Sequence, residues 1–181
     1  MTTYLGIDNG KDGAIIVLDS NGKIASKHKT PLFKSATKGG KKLGKDEYDI
    51  AGMKATIVGL ALPDNDVMVT LEKAQPMPLK MGGGVANYQR GLSFGLWQGL
   101  LVGLGVSYQI VSPQAWQKIM LAGINSEDTK QAGAIAAQRL WPKEDWRKSQ
   151  LAKKADEGFV DAALIAEFGR RIHFGQRNQA I

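Results

Sequence analysis

The sequence predicts a single α/β domain in which a mixed β-sheet is flanked by helices on both faces. The chain has 181 residues, of which 43% are hydrophobic, so one domain with one buried core is expected. Strand-like and helix-like segments follow one another in the order β-β-β-α-β-α-β-α-α-α, which fits a mixed sheet between two layers of helices. No internal repeat interrupts this order. We therefore treat residues 1–181 as one domain.

The first three elements are predicted strands. β-prone runs cover Tyr4–Asp8 and Ala14–Leu18, and an Asn-Gly turn leads into a third run at Lys23–Lys29. Residues 34–45 then carry five lysines and three glycines with almost no apolar side chains. Such a segment cannot pack into a core, so we expect a loop or the tip of a long hairpin there.

The middle of the chain alternates between helices and strands. Apolar residues recur at helical spacing over Asp49–Leu62, and a buried strand follows at Val67–Leu71. Three glycines at residues 82–84 lead into a long helix over about Val85–Gly103. The next strand is predicted at Val106–Val111, which adds a fifth strand to the sheet.

Three helices are predicted in the last third of the chain. The Ser-Pro pair at residues 112–113 opens a short helix, because proline is favoured at the first helical position after a serine cap. Ser126 is the expected cap of a second helix, which ends at Leu140. A charged linker is predicted at Lys143–Lys154, and the final helix is predicted at Glu157–Arg171.

The composition restricts both the partners and the metal chemistry of the chain. Lys and Arg number 24 against 17 Asp and Glu, and the resulting net charge of +7 suits a polyanionic partner. The absence of cysteine excludes disulfides, thiolate metal sites and cysteine nucleophiles. The two histidines, His28 and His173, are too few and too far apart to suggest a zinc site. Carboxylates are therefore the candidate metal ligands.

The sequence contains no segment that is expected to enter a membrane. The most apolar stretch, Leu92–Val106, is interrupted by Gln98 and several glycines and is shorter than the roughly 20 residues that a membrane span requires. The first residues lack the basic and apolar regions of a signal peptide. We expect a cytoplasmic protein without a membrane partner, in which this stretch forms a buried helix.

Three acidic residues follow or interrupt apolar runs where a charge needs compensation. Asp8 ends the first predicted strand, Glu72 ends the fourth, and Asp161 lies within an alanine-rich helix. Taken singly, each also fits a structural role: a turn residue, a surface Glu-Lys pair or an acid near a helix start. Together they form the oxygen-only set that Mg²⁺ and Mn²⁺ prefer.

Six stretches along the chain form a recognisable series of motifs. They are Leu5-Gly6-Ile7-Asp8-Asn9-Gly10, Leu71-Glu72-Lys73, the helix Gly91–Gly105, Val111-Ser112-Pro113 with Trp116, Thr129-Lys130 and Asp161-Ala162-Ala163-Leu164-Ile165-Ala166. The Glu-Lys pair and the Asp-Ala-rich last helix, in this order, are the most specific features. In these stretches the chain resembles the RuvC family of the RNase H-like superfamily over nearly its whole length.

This resemblance implies an RNase H-like fold and a structure-selective endodeoxyribonuclease that resolves four-way (Holliday) or branched DNA junctions. The family works as a homodimer that makes two symmetric nicks. Asp8, Glu72 and Asp161 would then hold two Mg²⁺ ions, for which Mn²⁺ can substitute, and Asp8 would bridge them. One ion would activate the attacking water and the other would stabilise the leaving oxygen. Lys130 would lie near the scissile phosphate.

The chain departs from the family pattern at a fourth acid. Relatives carry a further acid three or four residues before the last aspartate, and here the position three before is Gly158. Glu157 stands four residues before Asp161, and Asp156 stands five before. Since residues i and i+4 share one face of a helix, we predict Glu157 as the fourth ligand rather than Asp156.

Further residues are candidates for contact with DNA. In enzymes of this family the loop after the second acid enters the junction, so Met77 or Met81 would wedge between bases, unless these methionines cap the core. Phosphate contacts would fall to the lysine-rich loop at residues 34–45 and to four other basic residues, Lys80, Arg90, Lys118 and Lys130. The lysine-rich loop is equally compatible with a solvated segment that contacts nothing.

Two other functions remain compatible with the sequence. A different RNase H-like nuclease, acting on RNA–DNA hybrids or flaps, would keep the same acids. A non-catalytic DNA-binding protein would keep the basic surface without needing Asp8, Glu72 and Asp161 together.

The helix Gly91–Gly105, with Trp97, would supply either the dimer contact or part of the core. The variant motif favours a phage protein involved in DNA recombination and repair.

Overall fold

The computed structural model describes residues 2–39, 41–60 and 66–179. The strands in this part of the chain are β1 (Thr3–Asp8), β2 (Ala14–Leu18), β3 (Ile24–Lys29), β4 (Leu32–Phe33), β5 (Thr37–Lys38), β6 (Lys41–Lys42), β7 (Glu47–Tyr48), β8 (Val67–Glu72) and β9 (Tyr108–Val111). The helices are α1 (Ile50–Leu60), α2 (Leu79–Gly103), α3 (Pro113–Met120), α4 (Thr129–Leu140) and α5 (Glu157–Gln179).

A five-stranded sheet forms the centre of the fold, with the strand order β3-β2-β1-β8-β9. Strand β1 pairs antiparallel with β2 and parallel with β8, and β8 pairs parallel with β9. The predicted mixed sheet is confirmed. Because β1, β8 and β9 run in the same direction, their carboxyl ends meet at one edge of the sheet.

Helices cover both faces of the sheet, as the sequence predicts. Side chains alternate between the two faces along each strand. In β1, Tyr4 belongs to the core layer under α3, α4 and α5, whereas Leu5 and Ile7 belong to the layer under α1 and α2. Trp97 of α2 is fully buried in the second layer, so its indole belongs to the core rather than to a dimer contact.

One helix gains an extra turn, and one strand boundary shifts where a local hydrogen bond overrides the pattern. Helix α2 begins with a turn at Leu79, but Gly83 interrupts it with a φ of 62° and a ψ of 171°, a conformation that glycine adopts without strain, so the long helix beyond it starts close to the predicted Val85. Strand β9 begins at Tyr108 rather than Val106, because the Val106 amide donates to a carbonyl of α2.

The predicted cap of α4 was wrong. The side chain of Asp128, not Ser126, accepts a hydrogen bond from the backbone amide of Lys130 at 2.9 Å, and the helix begins at Thr129. The Ser126 hydroxyl instead donates to the carbonyl oxygen of Asp128 at 3.0 Å. Aspartate and serine are comparable N-caps, so sequence alone did not separate these two positions.

Two segments that look like polar connections in the sequence contain ordered structure. The lysine-rich segment forms a small hairpin of β5 and β6, bracketed by the β4–β7 pair, which confirms the hairpin expectation. The predicted charged linker contains Trp146, which is 5% exposed and packs edge-on against Trp141. Among the described residues, none of the helices has the length and apolarity to traverse a bilayer.

Candidate active site

Two of the predicted acids lie at the carboxyl ends of neighbouring parallel strands. Asp8 ends β1 and Glu72 ends β8, and the pairing of Ile7 with Leu71 sets both ends at the same level. Their carboxyl groups share a hydrogen bond. The sheet therefore brings together two acids that are far apart in the sequence.

The third acid, Asp161, reaches this edge because α5 lies against the backbone of the sheet. A Cβ atom on Gly6 would lie 2.0 Å from a carbonyl oxygen of α5, and one on Gly158 would lie 2.2 Å from the carbonyl oxygen of Asp12. Only glycine fits at such distances, so these two residues permit the contact of α5 with β1 and with the β1–β2 turn. The alanine-rich helix therefore lies close enough to the sheet to bring Asp161 to the strand ends.

The pKa of each of the three acids is raised, chiefly by burial. Burial raises the pKa of Asp8 well above its usual value, and the charges of Glu72 and Asp161 add to this effect. Burial also raises the pKa of Asp161 to about 7, again with help from neighbouring carboxylates. The pKa of Glu72 is raised by burial, although its hydrogen bonds with Trp116 and Asp8 oppose the shift. A bound cation would favour the charged forms of these buried carboxylates.

Two neighbours hold Glu72 in place, and sequence analysis gave neither of them a role. The ring nitrogen of Trp116 donates to Glu72 Oε1 at 2.7 Å, and the Asn9 side chain donates to the Glu72 backbone carbonyl at 2.6 Å. A signal was available for Trp116, because a buried indole N–H needs an acceptor. No comparable signal pointed to Asn9, whose Asp-Asn-Gly context is also ordinary turn chemistry.

The acids line a groove made of two adjoining cavities, which we call the carboxylate groove. The first has a volume of about 390 Å³ and contains Asp8, Glu157 and Asp161, and the second has a volume of about 310 Å³ and contains Asp8 and Glu72. Arg90 lines both cavities. Its Nη1 atom is buried and has no hydrogen-bond partner among the described residues.

The structure assigns different positions to the two candidates for the fourth acid. Asp156 lies just before α5, where its Oδ1 accepts the backbone amide of Phe159 at 3.1 Å and the ammonium group of Lys29 at 2.8 Å. Glu157 begins the helix and lines the same cavity as Asp161. The expected helix start is confirmed, and Asp156 is committed to a cap and an ion pair.

Two lysines stand beside the acids. Lys130 forms an ion pair with Glu157 at 2.8 Å, and both side chains are more than half exposed. The hydrogen bond and charge of Glu157 raise the pKa of Lys130. Lys29, which sequence analysis did not single out, pairs with Asp156 and lies over the ring of Phe159 at 5.1 Å, and its charge opposes the rise in the pKa of Asp8.

The remaining DNA-contact candidates are only partly gathered around the groove. Met77 lines its second cavity, and its backbone amide and carbonyl both bond the side chain of Asn87 at 2.9 Å. Lys80 and Met81 lie in the first turns of α2, and their side chains are outside the described part of the structure. Lys118 is exposed at the end of α3 and is not among the residues that line the groove.

The donor set fits a hard divalent cation, although no ready cage is formed. Within the described residues, no three acids or histidines already lie close enough to enclose an ion. However, the candidate donors Asp8, Glu72 and Asp161 are all carboxylates, as Mg²⁺ and Mn²⁺ prefer. Burial raises the pKa of all three, and neighbouring carboxylates add to the rise for Asp8 and Asp161, so a bound cation would stabilise their charged forms. The residues present therefore fit metal binding.

Comparison with known proteins identifies the fold. No family model matches the chain, and no curated protein sequence does either. Thermus thermophilus RuvC in complex with a Holliday junction substrate superposes with a TM-score of 0.61 at 14% identity, covering 97% of each chain. A second structure of Thermus thermophilus RuvC gives a TM-score of 0.53 at 16% identity, covering 94% of this chain and 96% of that one. The chain therefore has the RNase H-like fold of RuvC.

Proposed function

We propose that this chain is a metal-dependent endodeoxyribonuclease that resolves four-way or branched DNA junctions, with residues 1–181 acting as one nuclease domain. The observation that carries the proposal is the convergence of Asp8, Glu72 and Asp161 from three elements on one groove flanked by Arg90. The net charge of +7 supports a nucleic-acid substrate. The RuvC fold, seen elsewhere with a Holliday junction bound, supports the choice of a branched one.

The acids and their neighbours have distinct tasks in this proposal. Asp8, Glu72 and Asp161 would hold two Mg²⁺ ions, or Mn²⁺, which supply an activated water and stabilise the leaving oxygen. Trp116 fixes the orientation of Glu72 through its 2.7 Å hydrogen bond. We propose that Arg90 contacts the scissile phosphate, because it lines both cavities of the groove and its buried Nη1 has no partner among the described residues.

We assign the fourth ligand position to Glu157 and a phosphate contact to Lys130. These two side chains neutralise each other at 2.8 Å beside Asp161. Because both are largely exposed, their ion pair contributes little to stability and is easily exchanged. Glu157 is then free to turn toward a cation and Lys130 toward a phosphate oxygen.

The loop after Glu72 is the candidate to enter the junction. It is fixed on both sides: Gln75 and Gln114 exchange two amide hydrogen bonds, of 2.6 and 2.9 Å, and Met77 is held by Asn87. A rigid loop can press an apolar side chain against bases without losing conformational freedom on binding. We propose Met77 for this contact, and Met81 as the second candidate from the sequence.

We propose that α2 forms the contact of a homodimer. Gly91, Gly95, Gly99 and Gly103 recur every four residues along the helix, and a Cβ atom on any of them would meet nothing within 4 Å. Exposed Val85, Tyr88, Leu92 and Val102 lie on the same face. Each glycine in a helix interior lowers helix stability by about 1 kcal/mol relative to alanine. Close packing of a second copy on this face would explain why the helix contains four of them.

The proposal is tested by neutralising the acids one at a time. Asp8→Asn, Glu72→Gln and Asp161→Asn should each abolish Mg²⁺-dependent cleavage of a labelled four-way junction. Junction binding should be unchanged or tighter, since removal of an anion near phosphate removes repulsion. Equal loss of binding and cleavage, with an intact circular dichroism spectrum, would point to a non-catalytic role for the groove.

We further propose that the substrates are DNA recombination and repair intermediates in the cytoplasm of a bacterial or phage-infected cell. Branched junctions would arise in that compartment. The chemistry proposed for the acids does not depend on this location.

A further inference from the structure

Another cavity, which we call the lysine cleft, lies beside the two cavities of the carboxylate groove. It has a volume of about 570 Å³ and contains five lysines against two aspartates, Asp12 and Asp46. The lysines come from four separate parts of the chain: the β1–β2 turn, the end of β3, the β4–β7 segment and the connection before α5. They are Lys11, Lys29, Lys34, Lys45 and Lys148.

The wall of the cleft is fixed by contacts within the chain. The Lys11 ammonium group donates to the backbone carbonyl of Asp46 and lies 5.4 Å from the centre of the Tyr48 ring. The Asp46 carboxylate binds Lys34 at 3.1 Å and the backbone amide of Ser35 at 3.0 Å. The lysine-rich segment is thus tied to the β1–β2 turn, so the cleft is formed before any ligand arrives.

Part of the positive charge in the cleft is not balanced. Lys29 and Lys34 pair with Asp156 and Asp46. Lys45 and Lys148 are exposed and enter no ion pair in the part of the chain that the structure describes. Two lysines that converge from distant segments without an acidic partner favour an anion from outside the chain.

A buried hydroxyl and a buried amide also lack partners in the cleft wall. Thr30 is 4% exposed, and its Oγ1 has no hydrogen-bond partner among the described residues. The side-chain oxygen of Gln89, which lines the same cleft, is unpartnered in the same sense. Buried polar atoms are normally satisfied, so an orphan hydroxyl beside lysines indicates a missing acceptor such as a phosphate oxygen.

The lysine cleft continues the carboxylate groove. Lys11, Asp12 and Gln89 line both the cleft and the cavity that contains Asp8 and Asp161. We propose that the lysine cleft binds the phosphate backbone of the DNA strand that leads into the carboxylate groove, with Lys45, Lys148 and Thr30 as contacts. This inference rests on the proposed function, because it names where that substrate lies beyond the cleaved phosphate.

The test compares two double variants in fluorescence anisotropy with a labelled four-way junction in EDTA. Lys45→Gln/Lys148→Gln should weaken binding at least about tenfold and reduce the slope of log K against log salt by about two, because each phosphate that a lysine neutralises adds about 0.9 to that slope. The control, Lys23→Gln/Lys54→Gln, removes two exposed lysines that do not line the cleft and should bind like wild type. Thr30→Val should weaken binding several-fold without altering the slope.

Binding by the cleft double variant within twofold of the control, with the salt slope unchanged, would overturn the inference and leave an acidic protein as the remaining occupant. Weaker binding by the double variant beside normal binding by Thr30→Val would keep the two lysines and withdraw Thr30. Wild-type cleavage in Mg²⁺ is measured separately. A wild type that cuts junctions while the cleft variant binds normally would sink this inference alone, and lysine-dependent binding without cleavage would sink only the proposed nuclease function.

Discussion

Glycines serve opposite purposes in the two longest helices and their surroundings. Where α5 crosses the sheet, Cβ atoms on Gly6 and Gly158 would lie within 2.0 and 2.2 Å of backbone oxygens. Along α2, a Cβ on Gly95 or Gly99 would meet open space. In the first region the fold requires the absence of a side chain, because backbone atoms occupy that space. In the second region nothing in the described chain occupies the space that the glycines leave open. The first region builds the site, and we infer that the second meets another copy.

The difference between these regions predicts opposite responses to the same substitution. Gly6→Ala places a methyl group inside the backbone of α5, so we expect the free energy of unfolding to fall by about 3 kcal/mol or more and cleavage to be abolished. Gly99→Ala, the matched control on α2, should leave monomer stability equal or higher, because alanine favours the helix. Urea denaturation of both variants measures this, and a tolerated Gly6→Ala would contradict the close packing of α5.

The close packing of α5 also partly buries Asp161, which gives stability a dependence on pH. The raised pKa means that the folded chain holds a proton at Asp161 that the unfolded chain releases, so stability falls as pH rises from about 4 to about 7. For Asp161 alone we expect a decrease on the order of 3 kcal/mol without metal. Mg²⁺ should restore much of it. Thermal unfolding in EDTA that is flat across this range, or that Asp161→Asn leaves unchanged, would argue against the buried cluster.

The α2 region is tested by a bulky residue in its glycine face. Gly95→Leu should convert a dimer to a monomer in sedimentation velocity, while adding up to about 1 kcal/mol to the stability of the isolated chain through helix propensity. Gly59→Leu is the control, since Gly59 is also an exposed helical glycine with open space around it. Dissociation of both variants, or of neither, would remove α2 as the dimer contact.

The two acids at the start of α5 are distinguished by substituting each in turn, and the smallest effect of all is expected for Asp156→Asn. Glu157→Gln should reduce Mg²⁺-dependent cleavage by one or more orders of magnitude, with partial rescue by Mn²⁺. Asp156→Asn keeps a capping oxygen and removes only the ion pair with Lys29, so we expect cleavage to persist and stability to fall by about 1 kcal/mol or less. An inactive Asp156→Asn beside an active Glu157→Gln would exchange the roles of the two residues.

The elements with a clear hydrophobic period were predictable, and so were the acids at their ends. The apolar run before Asp8 and the alanines around Asp161 indicate which faces are buried, so strands, layers and the close helix follow from local pattern. The cap of α4 and the start of β9 depended on single hydrogen bonds, which periodicity does not encode.

Long-range polar contacts were the part of the site that sequence could not supply. The bond from Trp116 to Glu72, the pairing of Lys29 with Asp156 and the lysine cleft each join segments that meet only in the folded chain. The lysine-rich segment displayed its charge in the sequence but not its neighbours. Trp146 is a different case: its indole is buried, but the charged residues around it in the sequence led us to predict an exposed linker.

The catalytic role of the three acids is tested most directly by cleavage of a labelled four-way junction beside a linear duplex with the same arm sequences, in Mg²⁺ and in EDTA. We expect two symmetric nicks in the junction with Mg²⁺, none with EDTA, none in the duplex, and none with Asp8→Asn. Cleavage of a flap or an RNA–DNA hybrid in preference to the junction would reassign the substrate. A wild type that binds the junction but leaves every strand intact in Mg²⁺ and Mn²⁺ would contradict the catalytic role of the three acids.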